Sequence, residues 1–242
     1  MVLVLSGAAA SAQQPSDQAA EVQRLMSVAK SAEADGHFDD AILSYRKVVA
    51  LSKDSPRDAA LAYFNAGLLY LRFQKYEDGA NAFKRSIELD PNSAEAHNNL
   101  GEALGHLDRQ RDAIAAFQRA VALDRNLLIA QFNMGLAYNR MGQPNYAEFV
   151  FRTLIRDHPD YALSYDGMAV TLTKSGRARE AIALHEKAIS LSPETPFFYY
   201  NLGISYLVLG KTENAVEQKE KLEQLDPRAA NKLSTFIAQQ KK

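Results

Sequence analysis

Residues 63–91 read YFNAGLLYLRFQKYEDGANAFKRSIELDP, and the features of this stretch return along the chain at a step of 34 residues. Pro91, Pro159, Pro193 and Pro227 share one phase, and Arg125 in ALDRN stands where the missing Pro would fall. Gly67, Gly101, Gly135 and Gly203 share a second phase, with Ala169 filling its gap. Gly142, Gly176 and Gly210 mark a third, Ala113, Ala147, Ala181 and Ala215 a fourth, and Phe83, Phe117 and Phe151 a fifth. A fixed period of this length is the signature of stacked supersecondary units. Each unit is too small to bury its apolar face alone, so stability becomes a sum of neighbour interfaces.

The order of small residues, aromatics and Pro resembles the tetratricopeptide repeat. Residues 96–125, AHNNLGEALGHLDRQRDAIAAFQRAVALDR, and 199–227, YYNLGISYLVLGKTENAVEQKEKLEQLDP, carry nearly the same pattern. Five units in register run 60–93, 94–127, 128–161, 162–195 and 196–229. A weaker first unit, 22–55, keeps Gly36, Phe38, Ala41 and Tyr45 in phase but has Ala29 where Gly is expected. The resemblance implies an all-α fold, a right-handed superhelical solenoid of about six helix-turn-helix repeats. The small residues at Gly101, Ala113 and their equivalents are expected to let helix backbones approach, with Phe117 and Phe151 filling the space beside them. Pro stops the second helix of a unit and sets the next turn.

Two places depart from the period. Residues 56–59 interrupt the register, and Ser55, Pro56 and Asp58 read as an N-cap, a first-turn Pro and an early acid. The third helix should therefore start about one turn early. Residues 230–242, ANKLSTFIAQQKK after Ala229, read as a capping helix in which Leu233 and Phe236 cover the last apolar face.

Composition agrees with helix, being rich in Ala and straight-chain residues, with 12 Gly, 8 Pro and no Trp. The net charge is −1 with both signs interspersed, which offers no basic stripe for a nucleic acid. With no Cys, disulfides and thiolate chemistry are excluded. The first residues, MVLVLSGAAASAQQPSD, join a short apolar stretch to Ala10-Ser11-Ala12, placed like a signal-peptidase site before Gln13. Residues 1–21 thus read as a signal-like segment and linker, giving a periplasmic or secreted protein, or else as an apolar tail on a cytoplasmic one. Nothing is long and apolar enough to span a bilayer.

In the family that the chain resembles, the first helix of each unit lines a concave surface that holds a ligand. Side chains three and four apart share a helix face. Inward positions are then Leu61, Phe64, Asn65, Leu68 and Arg72 in the second unit and Glu95, Asn98, Asn99, Glu102 and His106 in the third. The fourth has Ile129, Phe132, Asn133, Leu136 and Arg140; the fifth Leu163, Asp166, Gly167, Val170 and Lys174; the sixth Phe197, Tyr200, Asn201, Ile204 and Val208. Asn65, Asn99, Asn133 and Asn201 recur at one place, similar to the asparagine ladder of superhelical tetratricopeptide domains attached to O-GlcNAc glycosyltransferases. There the amides hold a peptide backbone; the other reading is bonding between neighbouring helices. The apolar members either form a binding surface or are buried by curvature. The Lys–Asn pair that clamps heat-shock chaperone tails is absent from every unit.

Gly210-Lys211-Thr212 ends like a phosphate loop but lacks its upstream Gly and follows a helix. His97 and His185 fall on repeat-core positions, and the five His show no metal spacing. The expectation is a scaffold, not an enzyme, with no cofactor, binding a protein or peptide in the groove. The alternative is an accessory or self-assembling subunit of a bacterial envelope complex.

Overall fold

A computed structural model describes residues 15–240. Residues 1–14 of the signal-like segment lie outside them, whereas residues 15–21, expected to be linker, are already helical. Among the described residues all regular structure is helical, in thirteen helices. These are α1 (Pro15–Ala34), α2 (Phe38–Leu51), α3 (Pro56–Arg72), α4 (Tyr76–Leu89), α5 (Ala94–His106), α6 (Gln110–Leu123) and α7 (Leu128–Arg140). They continue as α8 (Pro144–Asp157), α9 (Ala162–Lys174), α10 (Ala178–Leu191), α11 (Pro196–Val208), α12 (Thr212–Leu225) and α13 (Pro227–Gln239).

The chain divides into two compact units, one ending at Ala103 and one beginning at Leu104. In the first, α1 packs on α2, α2 on α3 and α3 on α4, and α1 also touches α3. In the second, every helix from α6 to α13 packs on its neighbour in sequence, while α7, α9, α11 and α13 also touch in series. The second unit therefore has a continuous layer of first helices, and α13 takes the place of the next member of that layer.

Turn chemistry fixes the hairpins. Gly36, Gly142, Gly176 and Gly210 adopt φ between 68° and 79°, the left-handed region that ends a helix at no steric cost when there is no Cβ. The equivalent positions in the second and third repeats are Gln74 (φ 59°) and Asp108 (φ 60°), where a side chain must tolerate that conformation. Helix α3 begins at Pro56 with Ser55 as its N-cap residue, one turn ahead of the repeat register. The Ser55 hydroxyl donates to Asp58 Oδ2 at 2.6 Å instead of capping a backbone amide.

The repeating small residues make room for backbone and for side chains alike: a Cβ at Gly79 would stand 3.4 Å from the Gly67 carbonyl oxygen, the backbone approach expected of these positions. A Cβ at Gly67 would stand 2.6 Å from the Phe83 ring, and one at Gly135 would stand 2.5 Å from Phe151. At Gly203 it would meet Leu233 of α13 at 2.6 Å. Leu233 is fully buried, but Phe236 stands exposed, so Leu233 seals the last apolar face with Ala230 and Ile237 rather than with Phe236. Helix α13 also starts earlier than residue 230: Pro227 is its first residue, and Asp226 Oδ1 caps it by accepting from the amides of Arg228 and Ala229.

Candidate functional site

The apolar positions read as inward-facing divide into two sets. Phe64 meets Phe83 edge-on with ring centroids 5.8 Å apart, and Phe132 meets Phe151 at the same distance, tilted by 54°. Both are half-buried, as is Leu136, which packs with Phe132 against the core of α8–α10. Leu61, Leu68, Ile129, Phe197 and Val208 are exposed, Val208 most of all at 56%. Phe197 leans on Phe198 with centroids 4.6 Å apart.

Six of the positions expected to face inward in the fifth and sixth repeats gather around one cavity of about 370 Å³. They are Val170, Lys174, Tyr200, Asn201, Ile204 and Val208. Thr173 and Ser205 add hydroxyls, and α13 contributes Phe236. Lys174 is exposed at its edge. Arg140 belongs elsewhere: it lines a shallow depression with Asp108, Arg109 and Asp112. In the first unit Asn65 is half-buried on α3, and Asn99 accepts from Asn98 Nδ2 at 3.2 Å. Asn133 is half-buried on α7.

Asp166 departs from the inward, groove-facing position expected of it. It is buried, because its carboxylate is bonded on both oxygens. Oδ1 lies 2.7 Å from His185 Nδ1, and Oδ2 accepts from Asn201 Nδ2 at 2.9 Å. The far side of the imidazole, Nε2, lies 3.1 Å from Ser205 Oγ, which lies 2.8 Å from Thr173 Oγ1. A buried carboxylate is tolerable only when its oxygens are hydrogen-bonded, and both oxygens of Asp166 are. Asn201 therefore donates one amide hydrogen to Asp166, which is the inter-helix role weighed for the asparagines. The signal for this network was in the period. Asp166 is 34 residues beyond Phe132, and His185 is 34 beyond Phe151. One repeat thus replaces both rings of a packed pair with both partners of a polar pair.

The order Asp166, His185, Ser205 imitates a hydrolytic triad without its accessibility. Ser205 is 1% exposed and its oxygen is shared with Thr173. It sits inside α11, where neighbouring backbone amides are consumed by the helix, so no oxyanion donors converge beside it. Among the described residues no group of three or more His, Asp or Glu is arranged to hold a metal ion. None of the helices they form is long and apolar enough to cross a membrane.

Family models described as tetratricopeptide repeat match residues 29–78, 64–127 and 129–161. The chain belongs to the tetratricopeptide repeat family. Tetratricopeptide proteins generally act as protein-interaction scaffolds and bind proteins or peptides. A curated relative, the photosystem I assembly protein Ycf3 of Acaryochloris marina (strain MBIC 11017), is 31% identical over 74 residues. That match spans 31% of this chain and 44% of the relative, less than half its length. The crystal structure of MamA superposes with a TM-score of 0.62 at 27% identity, covering 73% of this chain and 94% of that one. PilW, a type IV pilus biogenesis factor, superposes with a TM-score of 0.69 at 22% identity, covering 85% and 94%. The PilW match shows the fold alone.

Proposed function

We propose that this chain is a non-catalytic scaffold that holds a partner protein or peptide against the first-helix layer of its repeats. The observation that carries the reading is the cavity between α9, α11 and α13, where exposed Val208 and Phe236 and half-buried Val170, Tyr200 and Ile204 surround a lysine and an amide. Aromatic and aliphatic anchors flanked by a few polar groups are the usual composition of an interaction hot spot. Leu61 and Leu68, about two turns apart on α3, are likewise exposed apolar side chains on a first helix of the first unit. Asn65, Asn99, Asn133, Phe64, Phe132, Leu136, Phe197, Tyr200, Arg140 and Lys174 complete the proposed contact set. The similarity to an assembly protein favours a role in building a larger complex, and the signal-like first residues favour one in the cell envelope.

The test is affinity capture from source-cell extract with wild type and with Val208→Glu, a substitution at an exposed position that leaves the core alone. A protein retained by wild type and lost from the variant is the expected result. Identical captures from two folded proteins would remove the first-helix layer as the binding face. Sedimentation across a range of concentrations separates the self-assembling alternative, which a constant monomer mass would eliminate.

A further inference from the structure

The cavity between α9, α11 and α13 has one cation on its wall, Lys174, and no acid among its lining residues. Helix α11 carries no charged residue, and the charges of α13 are Arg228 and Lys232. The only carboxylate on these three helices is Asp166, which is buried and committed to His185 and Asn201. Val170, Ile204, Val208 and Phe236 supply apolar walls. Charge and surface together fit a carboxylate carried on an apolar group.

Behind that wall, hydrogen-bond directions are coupled. Each hydroxyl has a single hydrogen, and a carboxylate oxygen only accepts. His185 Nδ1 therefore carries hydrogen toward Asp166. While the imidazole is neutral, Nε2 accepts, so Ser205 must donate to it. Ser205 Oγ can then only accept from Thr173, whose hydrogen points inward and whose lone pairs face the cavity. When the imidazole is protonated, Nε2–H donates to Ser205, Ser205 donates to Thr173, and the Thr173 hydrogen is released for a ligand. One proton on a fully buried ring thus reverses two hydroxyls and turns a groove-wall acceptor into a donor.

The geometry points to a proton-gated carboxylate site: Lys174 and Thr173 receive the carboxylate, and His185 protonation, relayed through Ser205, strengthens its binding. This rests on the reading of the first-helix layer as the binding face and names the ligand class and its control. Of the charged residues on α9, α10 and α11, Asp166 faces the imidazole, while Lys174, Arg179, Glu180, Glu186 and Lys187 are exposed. The Tyr206 hydroxyl turns to Glu186 at 3.4 Å, while Tyr165 and Tyr199 donate to the carbonyls of Pro159 and Pro193. Tyr200 lines the cavity itself. A ligand that prefers the protonated form binds more tightly as pH falls.

The experiment titrates full-length protein with 3-phenylpropionate at pH 8.0 and pH 5.5, following amide shifts by NMR; the probe's carboxylate stays ionised over this range. One added hydrogen bond to a charged group predicts binding about tenfold tighter at the lower pH. Thr173→Val, which keeps the shape and removes the relay's last hydroxyl, should bind equally at both values, and so should the neutral 3-phenylpropanol on wild type. His185→Asn is the direct variant, and Thr173→Val keeps the test decisive if that one fails to fold. Wild-type affinity equal at the two pH values would overturn the gate, as would a pH dependence that survives in Thr173→Val. No binding at either pH would overturn the carboxylate site. Each of these leaves the scaffold reading to the capture experiment with Val208→Glu, so the two fail separately.

Discussion

The fourth and fifth repeats place different chemistry at the same two positions. In the fourth, Phe132 and Phe151 pack ring against ring at 5.8 Å. In the fifth, Asp166 and His185 stand there, joined at 2.7 Å. The second repeat sides with the fourth, pairing Phe64 with Phe83. An aromatic pair holds two helices by area and dispersion and tolerates small misplacements. A buried carboxylate–imidazole pair holds them only while every polar atom is satisfied, and it recruits Asn201, Ser205 and Thr173 from both sides to do so. The geometry of the repeat dictates that these positions touch, and it leaves open what touches.

The largest expected effect tests that difference directly. His185→Phe alone strands the Asp166 carboxylate in the core and should destabilise the fold by about 3–5 kcal/mol, read from denaturant midpoints at constant slope. Adding Asp166→Phe together with Ala169→Gly recreates the ring pair of the fourth repeat and the glycine that makes room for it, and should recover most of the loss. A triple variant as unstable as the single one would mean that the fifth repeat cannot accept the aromatic solution.

Next comes the fit between glycine and ring. Gly135→Ala gains up to about 1 kcal/mol in helix propensity. Its Cβ would stand 2.5 Å from Phe151, and overpacking costs about 1–3 kcal/mol. The net expectation is a loss, measured by thermal unfolding. Combining it with Phe151→Leu should make the two changes non-additive. In the fifth repeat the corresponding position is already Ala169, fully buried, consistent with the smaller His185 side chain opposite.

The smallest effect concerns the turns. Gln74 occupies a left-handed position that glycine fills in four other hairpins. Gln74→Gly should therefore stabilise the protein by about 1 kcal/mol, visible as a small rise in Tm. An unchanged or lower Tm would mean that the Gln74 side chain compensates for its backbone.

Much of this was legible in the sequence, and the reason is local. The step of 34 fixes the helix pairs because Gly at the hairpin and small residues opposite rings are steric requirements that recur wherever the geometry recurs. Pro56 announced the early start of α3 because its ring suits a first helical turn. Asp166 was misread because spacing alone assigns it to the groove face; only its joint substitution with His185 reveals a buried pair. Phe236 was misread because a helix of this amphipathicity has two candidate seals, and the position of Gly203 selects Leu233. The turns at Gln74 and Asp108 lack the glycine that marks the others, so their backbone was visible only in the fold.

The central claim is that the first-helix layer is the binding face. It is tested most directly by placing the photo-crosslinker p-benzoylphenylalanine at Val208, or at Phe149 of α8, on a second helix, which at 69% is the most exposed large apolar residue among the described ones. Irradiation in source cells should join a partner to the chain from position 208 and leave position 149 unlinked. Crosslinks from 149 with none from 208 would place the partner on the second-helix side and contradict the account.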